Sequence, residues 1–361
     1  MKKFKYILYK IASLKYGKIK YIKSADKVKD IEIKKINLEK NIFKKVYTLK
    51  NSRLYTDRIH NLALIHNNYL IEGPSYQIIN NNYASCKKNI VLKIGTPRYL
   101  KKLKGITISL LSGGGANANY FHWLFDVLPR LNIIKKIFRL NKINYLLLPS
   151  TKKKFQIETL KILGFKLKQF LTSENFRHIE SDQIIVSDHP WISSGNSAKD
   201  ELKIPIWIYK WLKKSFLNKI KNIRKKKYPK NIFIIRRKQI VKNQSISQRE
   251  LLNEDKILKI FKKKKYNFID LENYNFLEQV SFFKNANKIA GVHGAGFANI
   301  VFCKRNTKII EFKTRGTGDL YKNIAIMNNL KYFGLKSKIN DKFNNQNGII
   351  DIDINKLKKI I

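Results

Sequence analysis

The sequence predicts an α/β protein of two domains, each organised on a sheet covered by helices. Three observations carry that prediction. Strand-length apolar runs alternate with helix-length periodic segments over most of residues 145–312, which implies parallel strands joined by crossover helices. A chain of 361 residues, 43% of them hydrophobic, can bury two cores of ordinary size. The polar, proline-broken stretch Arg224-Lys225-Lys226-Lys227-Tyr228-Pro229-Lys230 reads as a linker between residues 1–223 and 231–361.

Taken in order, Phe4, Ile7, Leu8, Ile11 and Leu14 fall at helical spacing with Lys between them. That pattern suits a basic amphipathic helix, laid on an anionic bilayer or packed on its own domain. Residues 28–110 alternate short β-type runs with turn signals such as Glu72-Gly73-Pro74-Ser75. The run Gly113-Gly114-Gly115 leads into a helix from Tyr120 to about Arg139, kinked or interrupted by Pro129. Tyr145–Leu148 is a strand, Phe155–Leu163 a helix stopped by Gly164, Gln183–Val186 a strand and Ile204–Ile223 a helix. Beyond the linker come strand Ile232–Ile235, helix Glu250–Phe261, strand Tyr266–Asp270, helix Phe276–Ala286, strand Lys288–Gly291, a helix opening at Phe297 and strand Lys308–Phe312.

The formal charge is +50, from 75 basic and 25 acidic side chains, which by itself suggests nucleic acid or an anionic membrane as partner. The basic residues are 63 Lys and 12 Arg, spread along the whole chain. Drift toward Lys, Asn and Ile on solvated faces explains most of that charge. A nucleic-acid binder is therefore the weakest of the functional readings, and no nucleic-acid partner is expected. Two cysteines, Cys86 and Cys303, support neither a disulfide framework nor a zinc site, so a reducing, cytoplasmic compartment is expected. No apolar run reaches membrane-spanning length, and the first 23 residues lack the pattern of a signal peptide.

Against this compositional drift, a few positions stand out. Val292-His293-Gly294-Ala295-Gly296-Phe297-Ala298-Asn299 joins a strand to a helix through a glycine-rich turn. Such a turn presents backbone N–H groups and a helix N-terminus to an anion, with His293 as an added donor. It lacks a Gly-Lys-Ser/Thr ending and the Gly-x-Gly-x-x-Gly spacing, which disfavours a P-loop ATPase and a nicotinamide cofactor. Arg236 and Arg237 end a strand where the chain otherwise prefers Lys; two guanidinium forks suit a diphosphate, and an ordinary basic turn is the alternative. Glu311, at another strand end, either accepts from ribose hydroxyls or forms a structural ion pair. His122 and Asp126, four apart on one helix face, form either a general-base pair, in which either group could be the base, or a helix-stabilising surface pair. A metal role for them lacks an evident third ligand. Asn119, Tyr120 and Trp123 flank the pair, as sugar contacts or as core.

Together these segments resemble glycosyltransferase family 61, which includes bacterial capsular-polysaccharide enzymes. Three segments match in order: Asn119 to Leu131, Ile235-Arg236-Arg237-Lys238, and Ile289 to Phe302 continuing into Thr307–Glu311. The resemblance spans roughly residues 105–335. It implies the GT-B fold, two Rossmann-like domains facing a central cleft. It also implies an inverting transfer from a nucleoside-diphosphate sugar to a glycan or lipid-linked glycan acceptor at the cell surface, with no metal or other cofactor required. His293, Gly294, Ala295, Gly296, Asn299, Arg236 and Arg237 would hold the donor diphosphate and Glu311 the nucleoside. His122 and Asp126 would face the acceptor. The enzyme would work in the cytoplasm or at the inner face of the membrane. An epimerase-like enzyme of the same fold, without a glycan acceptor, is the alternative. The sequence departs from bacterial relatives at Cys303-Lys304-Arg305-Asn306, where they carry a Pro-Gly turn; Asn306 is expected to supply the left-handed conformation.

Overall fold

The computed structural model describes residues 2–79, 82–84, 86–112, 118–222, 227–236, 249–339 and 348–361. Gly113–Gly115, Arg237 and residues 224–226 of the expected linker lie outside them. The chain forms two compact units, Met1–Ile208 and Tyr209–Ile361, and the helix Ile206–Phe216 runs across the divide. Each unit is α/β, with one sheet flanked by helices.

The first unit opens with the helix Lys2–Leu14. Seven strands follow: β1 (Lys20–Ser24), β2 (Ile31–Glu39), β3 (Ile42–Thr56), β4 (Asn61–His66), β5 (Tyr69–Glu72), β6 (Tyr76–Ile79) and β7 (Asn82–Ala84). Then come β8 (Lys101–Ser109), β9 (Tyr145–Leu148), β10 (Phe170–Thr172) and β11 (His178–Ser187). They form one sheet in the order β1-β5-β4-β3-β11-β8-β9-β10, with β2 on β3 and β6 and β7 branching from β4. The expectation of a parallel sheet needs correction here. Only β1–β5 and the β11-β8-β9-β10 section are parallel; β2 to β7, and β3 against β11, pair antiparallel. Turn chemistry is the reason. Asn67 and Asn68 both have positive φ, 47° and 62°, and a two-residue left-handed turn returns the chain beside its own strand.

The second unit has β12 (Asn231–Ile234), β13 (Asn267–Ile269), β14 (Lys288–Val292), β15 (Lys308–Lys313) and β16 (Lys331–Lys336). All pairs are parallel, in the order β13-β12-β14-β15-β16. The first strand thus lies between the second and third. Successive connections leave β12 in opposite directions, opening a crevice at the carboxyl ends of β12 and β14. Helices Glu254–Lys263, Phe276–Asn285 and Leu320–Met327 and the 3₁₀ segment Ala295–Phe302 make the crossovers. Phe233, Ile257, Phe261, Ala290, Ile310 and Phe312 form the core under one face.

Two local departures from expectation matter. The single helix expected from Tyr120 is instead a turn at Tyr120–His122, a π-helical turn at Trp123–Val127 and a helix Pro129–Lys135. Proline cannot donate to the carbonyl four residues back and its ring crowds it; the widened turn, closed by Leu128 N–H to Trp123 O at 3.1 Å, delivers Pro129 to the start of a new helix, where no donor is needed. The other segment, Phe297–Phe302, is 3₁₀ rather than α-helical. Asn306 takes the left-handed conformation expected of it, at φ 64°.

Candidate functional site

Two polar clusters sit at carboxyl ends of parallel strands, one in each unit. In the first, the chain leaving β8 leads to His122 and Asp126, and the chain leaving the adjacent β11 leads to His189 and Trp191. Asn119 starts the helical turn, its side chain accepting from the N–H of Phe121 at 2.9 Å and of His122 at 3.3 Å. His122 Nδ1 then donates to Asp126 Oδ2 at 2.8 Å. Trp191 Nε1 donates to the other carboxylate oxygen, also at 2.8 Å. Asp126 is buried, so both oxygens are committed in a dry setting.

Burial works against the Asp126 carboxylate, but His122 and then His189 outweigh it and hold the carboxyl well below its usual range. For His122 the sign reverses: burial pulls the imidazole down, and the Asp126 charge and hydrogen bond raise it above the ordinary histidine value. Burial is the largest single influence, but the Asp126 charge and hydrogen bond, joined by the Glu201 charge, together outweigh it. His189 is fully buried and pushed down to about 4, by burial first, with Asp126 only partly compensating. Its Nδ1 accepts from the Ile192 N–H at 3.1 Å, so the neutral ring carries its proton on Nε2, which lies 3.7 Å from Asp126 Oδ2. Buried Arg130 fastens the frame, donating from Nε to Asp126 O at 3.1 Å and from Nη1 to Ser187 O at 3.0 Å. His122 Nε2 is left as the ring nitrogen able to exchange a proton with a ligand.

In the second unit, β12 delivers Arg236 and β14 delivers His293 and the glycine turn to the crevice between them. Arg236 Nη1 and Arg249 Nη1 both donate to the His293 carbonyl, at 3.4 and 3.0 Å. Two guanidinium groups meeting at one carbonyl bring two positive charges and their forked donors to the crevice. Burial lowers both, and in Arg249, pushed down to about 10, the neighbouring Arg236 charge adds to it. The amides of Ala295 and Gly296 precede the first helical bond, Phe297 N–H to Gly294 O at 2.9 Å. A Cβ on Gly294 would lie 2.6 Å from Arg236 Nη1, so glycine here makes room for the guanidinium.

His293 Nδ1 donates to Glu311 Oε1, and Tyr332 OH donates to Glu311 Oε2 at 2.5 Å. Burial lowers the His293 pKa, opposed by the Glu311 bond. The ring is neutral near pH 7, and Nε2 donates to an anion only after taking up a proton. The side-chain donor expected of His293 is thus conditional. Glu311, within β15 and 1% exposed, has both oxygens engaged and orients His293; it is not open to a ribose.

Other expected residues have moved into the scaffold. Trp123 is fully buried and donates from Nε1 to Thr159 Oγ1 at 2.9 Å, and Tyr120 packs edge-on against Phe155; their expected stacking on sugar gives way to core packing. Asn119 is a helix cap. Asn299 is buried and donates to Gln279 Oε1 at 3.2 Å. Among the described residues no group of three or more His, Cys, Asp or Glu side chains is placed to hold a metal ion. Sequence reasoning missed Arg249, His189 and Trp191. The first carried a signal, an Arg in a chain of Lys; the others, in His189-Pro190-Trp191 after a strand end, had nothing in sequence tying them to Asp126.

Both clusters lie at the carboxyl ends of parallel strands, the place where α/β enzymes bind their ligands. Residues 120–310, just over half of the chain, match the family Glycosyltransferase 61, and the chain belongs to that family. It is a glycosyltransferase, an enzyme of sugar transfer. No curated protein gave a match. The matched span contains His122, Asp126, His189, Arg236, Arg249 and His293, and ends one residue before Glu311.

Proposed function

We propose that this enzyme transfers a sugar, with inversion, from a nucleoside diphosphate to a cell-surface glycan such as a capsule or lipopolysaccharide chain. The observation that carries the reading is the His122–Asp126 pair, with one carboxylate held on both oxygens and one imidazole nitrogen left open. A retaining transfer through a covalent intermediate requires a free carboxylate as nucleophile; a single displacement requires only a base. His122 Nε2 takes the proton of the acceptor hydroxyl as its oxygen bonds to the anomeric carbon. The bond from that carbon to the diphosphate oxygen breaks, and the nucleoside diphosphate leaves with the electron pair. Asp126 is a positioning residue that holds the His122 tautomer.

Charge on the leaving group falls to Arg236, Arg249 and the Ala295 and Gly296 amides, with Arg237 a further donor ligand on the family pattern. Fixed donors of this kind stabilise a developing diphosphate without reorganisation. With two guanidinium groups in place, added chelator should leave the rate unchanged. In this reading the architecture is of GT-B type and the Tyr209–Ile361 unit is the donor domain.

The test begins with a thermal-shift screen of nucleotides and nucleotide sugars, because a ligand of the native state must raise the melting temperature. Release of nucleoside diphosphate is then followed with and without glycan acceptor. Acceptor-dependent release with an inverted anomeric product is expected. Turnover of the nucleotide sugar without acceptor would instead support the epimerase-like alternative.

A further inference from the structure

The helix Lys2–Leu14 is inside out. A helix on a globular protein turns its aliphatic stripe to the core. Here Phe4, Ile7, Leu8, Ile11 and Leu14 are 68, 55, 50, 59 and 73% exposed. At 100° per residue they span an arc of about 120°. The opposite face, carrying Tyr9, Ser13 and then Tyr16 just beyond the helix, is the one applied to the protein. Ser13 is buried against Gly95, the Arg98 guanidinium lies over the Tyr9 ring, and Tyr16 OH accepts from the Leu100 N–H at 3.0 Å. A continuous exposed aliphatic stripe of this size marks an interaction surface.

Charge decides what covers it. Lys10, Lys15 and Lys18, in and just after this helix, are exposed, and the helix Val91–Ile94 in contact with it carries the exposed Lys93 and Leu92. A second copy of the chain would bring two such lysine-bearing segments, from molecules of charge +50, into contact. An anionic surface with an apolar interior complements both features. No helix among the described residues is long and apolar enough to cross a membrane, so attachment through this face is parallel to the surface. We propose that the Lys2–Leu14 helix docks the enzyme on an anionic lipid bilayer, its aliphatic stripe between the acyl chains and its lysines at the headgroups.

The test is flotation of the full chain with vesicles of phosphatidylcholine alone or with about one third phosphatidylglycerol. The wild type is compared with the triple substitution Ile7→Gln, Leu8→Gln, Ile11→Gln, which keeps the charge and the helix propensity. Because those side chains are already exposed, the melting temperature should not fall. Binding to anionic vesicles, at least tenfold weaker to phosphatidylcholine and at least tenfold weaker in the variant, is expected. Equal binding by variant and wild type would assign the attraction to scattered lysines and overturn the proposal. So would failure to bind anionic vesicles, or dimerisation in solution that the substitution abolishes.

Discussion

Asp126→Asn separates orientation from the remaining machinery. In the wild type Asp126 accepts twice, from His122 Nδ1 and from Trp191 Nε1, both at 2.8 Å. Indole N–H is only a donor, so the single oxygen of the substituted amide is drawn to Trp191. The amide N–H then faces His122 Nδ1, which must become an acceptor, and the proton moves to Nε2, where the base should be empty. Flipping the amide instead sets two donors against each other in a buried site, at a cost of about 1–3 kcal/mol. Turnover should therefore fall by about 10²–10⁴, the usual contribution of a general base, or about 3–5 kcal/mol of barrier. Steady-state release of nucleoside diphosphate from about pH 5 to 9, a range that brackets histidine titration, measures it. Only neutral His122 can accept a proton, so the wild-type rate should rise with pH through a pKa raised above the ordinary histidine value. Loss of the carboxylate charge should shift the residual acid limb to lower pH. Donor affinity, which the proposed mechanism assigns to Arg236 and Arg249, should stay within about threefold by the same free-energy scale. Turnover within about threefold of wild type would refute the argument, since a general base contributes far more.

Further outcomes follow from individual contacts. Gly294→Ala places a methyl 2.6 Å from Arg236 Nη1; φ is 175°, so the backbone tolerates alanine, and calorimetry should show weaker nucleotide binding with a nearly unchanged melting temperature. Arg249→Ala removes one of the two guanidinium groups at the His293 carbonyl and should weaken nucleotide affinity by about 10–100-fold, in keeping with a charge-assisted contact. The same substitution should not weaken the apo protein through charge loss, because Arg236 and Arg249 repel each other there. His178, buried against Tyr16 and Tyr55, is pushed down to about 4 by burial. The unfolded state then binds protons more readily, so its stability contribution is full above about pH 6.5 and lost as pH falls toward 4, about 3 kcal/mol in all. Urea titrations at about pH 7 and pH 5, on either side of the unfolded histidine value, should show that slope, and His178→Gln should reduce it, buried His189 keeping its own share.

Sequence legibility tracked local physics. The β14 strand, the glycine turn and the β12 strand end were readable because each depends on a short contiguous pattern. His122 and Asp126 were paired by helical spacing alone. How the Asp126 carboxylate is held was not readable, because it depends on Trp191 and His189, which arrive from another strand more than sixty residues away. Trp123 shows the converse: in sequence an aromatic beside a base resembles a sugar platform, and only packing against Phe155 and Thr159 shows it is core.

Patterns along the chain were enough for the α/β class, four of the five strands of the second sheet, the glycine turn between a strand and a helical segment, and the family to which the chain belongs. Those rest on periodicity, turn chemistry and ordered motifs, all of which act between near neighbours in sequence. Folding in three dimensions settled the mixed pairing of the first sheet, the inward commitment of Glu311 and Asn299, the arrival of Arg249 and the outward stripe of the first helix. Each of these depends on which surfaces meet after the chain closes on itself, and burial, hydrogen-bond partners and charge environment exist only once they have met.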